Sequence, residues 1–113
     1  MCENIKPESF SYDELIDIIE SNIKTLDEII EVFVSGCNDK YLDDKFTDKL
    51  YLDVCSALDV ILVMLGYAEH RFKSNEFAHA EILAYKKSMR EKSKLVNDIY
   101  TSRVNSSVSN LKI

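Results

Sequence analysis

Residues that form turns are scarce in this chain of 113 residues, which contains two glycines and one proline. β-Sheets and loop-rich folds need such residues at their turns, so their scarcity predicts a few long helices. Long hydrophobic runs are also missing. The longest apolar stretch, residues 54–65, contains Asp59 and falls short of the roughly 20 residues that cross a bilayer. We therefore expect no membrane association.

Cysteines are few and odd in number. Cys2, Cys37 and Cys55 are widely spaced and form no Cys-x-x-Cys pair, a pattern typical of reduced thiols and not of a disulfide framework or a zinc site. Residues 1–10 lack the apolar segment of a secretory signal, and we expect them to form a flexible N-terminus. Together these features predict a cytoplasmic protein.

Charge is unevenly distributed along the chain, whose formal net charge is −6. Residues 1–60 contain 15 acidic and 5 basic residues, a net charge of −10, whereas residues 61–113 contain 5 and 9, a net charge of +4. We expect the acidic first part and the basic second part to pair with each other, or with a partner.

Three apolar patterns with the heptad spacing of packed helices predict an all-α fold, a small bundle of three long antiparallel helices. The pattern of the first helix runs from Tyr12 to Phe33, and we expect Gly36 to end this helix. The second helix is expected to begin near Asp44 or Thr47 and the third near Ser74 or Asn75. The predicted bundle spans residues 11–100, and residues 101–113 are expected to form a polar, frayed tail.

The two histidines lie in residues 65–81 and are the first candidates for chemistry. Glu76 and His79 have the Glu-x-x-His spacing of di-iron bundles, but no second motif accompanies them. A phosphotransfer histidine and a cysteine–histidine pair also lack their usual surroundings. We therefore expect both His70 and His79 to be exposed, and we predict no metal, no cofactor, no catalytic residue and no enzymatic activity.

The second helix is apolar on two sides, which distinguishes it from its neighbours. Its core seam includes Leu58, Ile61 and Leu65, and the opposite side carries Leu52, Val60, Val63 and Tyr67. A helix that is apolar nearly all round is buried nearly all round. Either the third helix or the tail covers this second side, or it binds another chain in a homodimer or in a complex with a different protein. We favour a protein-binding module such as an inhibitor, immunity protein, antitoxin, adaptor or secretion-type chaperone.

The alternative function is that of a nucleic-acid-linked regulator. Four basic residues of the third helix are the candidate phosphate contacts: Lys86, Lys87, Arg90 and Lys94. The acidic first helix would instead mimic phosphates toward a DNA-binding protein. Because we expect the first helix to neutralise much of the basic run, and because the pI is near 4.9, nucleic-acid binding is the less favoured prediction.

Overall fold

The chain folds into three long helices joined by short connections. The computed structural model describes residues 10–111, with side chains as far as Asn105. The helices are α1 (Tyr12–Asn38), α2 (Asp44–Arg71) and α3 (Glu76–Leu111), and residues 10–111 contain no strand. Residues 39–43 and 72–75 connect them. The prediction of an all-α bundle of three helices is confirmed.

Each helix begins at a capping residue that accepts a hydrogen bond from a free backbone N–H. Ser11 caps α1 in a reciprocal capping box with Glu14, and this hydrogen bonding lowers the pKa of the Glu14 carboxyl. Asp43 accepts from the N–H of Lys45 at the start of α2. Asn75 accepts from the N–H of Ala78 at the start of α3. Helix starts are therefore determined locally.

Contacts at the two ends of the bundle show that successive helices run antiparallel. At one end the Tyr12 ring meets the edge of Phe72, with 5.1 Å between centroids, and the Tyr12 hydroxyl donates to Glu81. At the other end the rings of Tyr51 and Tyr100 stack at 4.0 Å. The start of α1 thus lies beside the end of α2 and the start of α3.

The core contains the residues that the heptad spacing predicts. Ile61, on the core side of α2, is 1% exposed, and its neighbours Leu58 and Leu65 are also buried. One cluster of buried side chains includes these residues together with residues of α1 and α3: Ile16, Ile19, Leu26, Phe33, Ile82, Met89 and Val96. The middle helix is therefore held by both neighbours, as the sequence predicts.

Gly36 does not end the first helix, contrary to the expectation. It is a buried residue inside α1, which ends at Asn38, and its φ is not positive. A Cβ atom at this position would lie 3.1 Å from side-chain atoms of Leu42 and of Leu50. The missing side chain allows the last turn of α1 to pack closely against the following loop and α2.

The third helix extends past the predicted boundary at Tyr100 and remains helical to Leu111. At 1.5 Å per residue α3 is about 54 Å long, against about 42 Å for α2. The molecule is accordingly elongated, with extents of 58 × 37 × 16 Å and a radius of gyration of 17.6 Å, against about 13 Å for a compact domain of about 100 residues. The remainder of the predicted tail, residues 112–113, and the predicted flexible residues 1–9 lie outside the described range.

Candidate functional site

The side of α2 that faces away from the bundle is apolar and exposed. We call the surface formed by Leu52, Val60, Val63 and Tyr67 the outer face. Leu52 is 62% exposed and Val63 is 71% exposed, Val60 is also exposed, and Tyr67 is half-buried. Within residues 10–105 neither α3 nor its C-terminal part covers this face. The prediction that these residues point away from the core is confirmed, and their role as an interface stays a prediction.

The geometry of the helix explains why α2 is apolar on two sides. Each residue advances the helix by about 100°, so a residue two positions from another lies on nearly the opposite side. Val63 is two positions from both Ile61 and Leu65, and so it faces outward where they face the core. Exposed apolar patches of more than a few hundred Å² are uncommon on monomers and usually mark an interaction site.

Carboxylates, and no cations, flank the central part of the outer face. Between residues 50 and 69 α2 contains no lysine or arginine. Asp53 and Asp59 are exposed there. Glu69 accepts a hydrogen bond from Lys86 of α3 at 3.0 Å, and this contact lowers the pKa of the Glu69 carboxyl. Asp53 and Asp59 therefore remain as the acidic groups beside the apolar surface.

Gly66 lies on the same side of α2 and is exposed. Among the residues that the structure describes, none would come within 4 Å of a Cβ atom added there. Glycine inside a helix costs about 1 kcal/mol relative to alanine. Unlike Gly36, which sits against Leu42 and Leu50, Gly66 has no close neighbour that requires the missing side chain. The sequence signal was a lone glycine in the last third of an apolar helix.

By length and composition α2 is the one helix in the described range that could cross a membrane. An 18-residue window has a mean hydropathy of 1.8, and 22% of that window is buried in the molecule. We expected no segment long enough to cross a bilayer because the uninterrupted apolar run covers only residues 54–65. The whole of α2 is longer and contains further apolar residues outside that run. Length and composition are weak grounds, because the core helix of a soluble protein passes the same test.

The two histidines differ in their surroundings. His70 is exposed, as predicted. The prediction of exposure is wrong for His79, which is half-buried and whose Nδ1 is buried without a hydrogen-bond partner. Its position near Glu69 places it where α2 and α3 pack together just after their connection. Within the part of the chain that the structure describes, no three His, Cys, Asp or Glu residues are grouped so as to hold a metal ion.

The described cysteines are free thiols in half-buried positions. Cys37 follows Gly36, where the helix was expected to end, but it lies in the last turn of α1. Burial raises the pKa of its thiol. A raised pKa reduces the thiolate fraction and hence the nucleophilicity at neutral pH. Cys55 lies on α2, and Cys2 is outside the described residues. For Cys37 the nearby positive charge of Arg103 acts in the opposite direction, but burial has the larger effect on its pKa.

The four candidate phosphate contacts do not act as one group. Lys86 is half-buried in its ion pair with Glu69 of α2. The other three are exposed on one side of α3, at positions i, i+3 and i+7: Lys87, Arg90 and Lys94. We expected α1 to neutralise much of this basic run. Within residues 10–105, α1 forms one ion pair with it, in which Lys92 contacts Asp27 at 2.6 Å.

Arg103 is the structurally important residue that the sequence did not reveal. Its side chain is 11% exposed and lies against the connection between α1 and α2. The guanidinium donates to four backbone carbonyls and one carboxylate: Gly36 (3.4 Å), Cys37 (3.1 Å), Asp39 (2.8 Å), Leu42 (2.6 Å) and Asp44 Oδ1 (3.1 Å). Because it lies beyond Tyr100, the sequence placed it in a frayed tail.

Comparison with known proteins assigns the chain to no family. No protein-family model matches the chain, and no curated protein or solved structure is significantly similar to it. A functional conclusion therefore depends on the surfaces of the molecule itself.

Proposed function

We propose that this protein is a non-enzymatic protein-binding module that acts through the outer face of α2. The exposure of Val63, at 71%, on a helix whose other side forms the core is the observation that supports it. Removing apolar surface from water contributes roughly 25 cal/mol per Å², so this surface is a source of binding free energy. An inhibitor, immunity protein, antitoxin, adaptor or chaperone would use such a surface.

The acidic residues beside the outer face favour a protein partner over a lipid bilayer. Asp53 and Asp59 are exposed on either side of the apolar residues. An aspartate at the centre of a membrane-spanning helix costs about 2.5–3.5 kcal/mol on insertion scales. A protein partner can place a basic side chain opposite each carboxylate, whereas the hydrocarbon core of a bilayer has no such group.

The shape of the outer face suits a helical partner. From Leu52 to Tyr67 the apolar residues extend over about 22 Å along a single helix. They lie along one side of the helix, and apolar residues at i, i+3, i+4 and i+7 of a second helix would pack against them. We therefore expect a partner that presents an amphipathic helix.

A capture experiment with matched variants tests this proposal. The tagged protein is used as bait in an extract of its source cells, alongside Val63→Glu and a control, Leu95→Glu. Leu95 is also an exposed apolar residue, on α3, so the control introduces the same charge elsewhere. We expect Val63→Glu to lose the dominant partner and Leu95→Glu to retain it. Equal capture by the two folded variants would refute a role for the outer face.

The second candidate function, direct nucleic-acid binding, depends on the exposed residues Lys87, Arg90 and Lys94. Three phosphate contacts predict a salt slope of about −2.7, or roughly a 40-fold loss of affinity between 50 and 200 mM salt. Titration of labelled DNA with wild type and with Arg90→Glu measures this slope. Binding that is insensitive to both salt and Arg90→Glu would reject this candidate.

The acidic side of α1 could instead act as a phosphate mimic toward a DNA-binding protein. The capture experiment described above tests this, with Asp17→Lys as the variant.

A further inference from the structure

We propose that a second copy of the chain occupies the C-terminal part of the outer face, around Val63 and Tyr67, in a two-fold dimer whose α2 helices cross at Gly66. This inference rests on the proposed function, because it requires the outer face to be a protein-binding surface. It names the partner, the point of contact and the relative orientation of the two helices.

Gly66 gives the point of closest approach. Helices that pack through ordinary side chains remain 8–10 Å apart, and a glycine at the crossing allows the backbones to come closer. Within the described residues of one copy, 10–111, nothing approaches the position of the missing Cβ within 4 Å. The exposed glycine therefore leaves space for a helix of another molecule. Val63 and Tyr67 flank it and supply the apolar contacts across the crossing.

The charges around Gly66 are complementary to themselves under a two-fold rotation. Asp59 lies on α2 seven residues before Gly66. Lys73 lies seven residues after it, in the connection just past the end of α2, and both are exposed. When two antiparallel copies cross at Gly66, the flexible side chain of Lys73 in one copy extends toward Asp59 of the other, and the pairing occurs twice. Neither residue belongs to an ion pair within residues 10–105.

The same charges exclude the other obvious antiparallel register. If Leu52 packed on Tyr67 of the second copy, the two-fold axis would fall between Asp59 and Val60. The two Asp59 carboxylates would then face each other, and like charges in direct opposition are unfavourable. A crossing at Gly66 replaces this repulsion with two attractive pairs. One helix crossing buries less than the roughly 800 Å² per partner of a standard interface, so we expect a weak dimer.

Substitution of the glycine separates self-association from folding. Alanine at position 66 removes the helix cost of glycine, so we expect Gly66→Ala to raise the thermal midpoint of the isolated chain by about 4–8 °C. The same methyl group blocks the close crossing, so self-association measured by sedimentation equilibrium should weaken by at least ~10-fold. Unchanged association of Gly66→Ala, or wild type that stays monomeric at several hundred micromolar, would overturn the proposal.

Charge reversal tests the orientation. Asp59→Lys and Lys73→Asp should each abolish self-association, because each creates two like-charge pairs across the axis. An equimolar mixture of the two variants should form a heterodimer, since both pairs are then opposite in charge. A mixture that remains monomeric contradicts the proposed register. If wild type is monomeric while Val63→Glu still loses a captured partner, this inference fails and the proposed function stands; if Val63→Glu changes neither capture nor self-association, both fail.

Discussion

Arg103 connects the C-terminal part of α3 to the connection between α1 and α2, and its replacement by alanine is the most informative test of the fold. The last carbonyls of α1 have no partners within their own helix. Arg103 donates to the carbonyl of Cys37 and to that of Leu42. It is a second donor to the carbonyl of Gly36, which also accepts from the N–H of Asp39. We therefore expect Arg103→Ala to release the tip of the α1–α2 hairpin from α3.

The magnitude follows from the exposure and length of each hydrogen bond. The bonds to Cys37 (3.1 Å) and Leu42 (2.6 Å) are partly buried, and hydrogen bonds to a charged group contribute about 1.5–3 kcal/mol each. The hydrogen bond to Gly36 is long at 3.4 Å, and the Asp44 side chain is 60% exposed. In the variant, water can replace Arg103 at both acceptors, so these two contacts contribute little to stability. The bonds to Cys37 and Leu42 would sum to about 3–6 kcal/mol, but both are only partly buried and water replaces part of each, so Arg103→Ala should cost about 2–4 kcal/mol of the free energy of unfolding.

Urea unfolding followed by circular dichroism measures this cost. The control is Arg90→Ala, which truncates an exposed arginine on the same helix and should change stability by less than about 0.5 kcal/mol. Arg103→Lys keeps the charge, but a single ammonium cannot reproduce the planar set of donors, so it should recover less than half of the loss. If Arg103→Ala is as stable as Arg90→Ala, the hydrogen bonds of Arg103 do not hold the connection.

Three further predictions concern the core and the titratable groups. Ile61→Ala should cost about 2–5 kcal/mol in urea unfolding because its side chain is fully buried, and a loss below about 1 kcal/mol would contradict the core assignment. Burial and a hydrogen bond to Glu20 raise the pKa of Tyr85 to about 12, from 10.0. The folded state therefore holds the Tyr85 proton more tightly than the unfolded state does, and the free energy of unfolding should fall as pH rises from 10 to 12. Urea midpoints at pH 9.5 and 11.5 should show this fall, and the fall should be smaller in Tyr85→Phe. His70→Ala should change stability by less than about 0.5 kcal/mol and the half-buried His79→Ala by about 1 kcal/mol, whereas equal losses would contradict their different burial.

Periodicity predicted the core because the burial of a helical residue depends mainly on its own side of the helix. The heptad positions of α2, including Leu58 and Ile61, needed no knowledge of their partners. The helix starts were equally local, since Ser11 and Asn75 bond to residues three positions away. The number of helices and their buried sides could therefore be read from the sequence.

Residues whose role depends on distant neighbours could not be predicted in this way. The sequence around Gly36 is typical of a helix end, but the residues that crowd it come from the following loop and α2. The partners of Arg103 lie about 60 positions earlier in the chain. The burial of His79 depends on how closely α3 packs on α2. In each case a contact between elements determines the outcome, and a single-sequence pattern contains no information about it.

The position of Arg103 also explains why the outer face of α2 stays uncovered. The sequence allowed the tail to fold back over Val60 and Val63, which would have closed the apolar surface within one chain. Instead α3 continues as a helix to Leu111, and Arg103 holds it against the α1–α2 connection, at the opposite end of the bundle from the 72–75 turn. Within residues 10–105 it therefore does not fold back over the outer face. The same anchor that stabilises the hairpin therefore leaves Val60 and Val63 exposed and available to a partner.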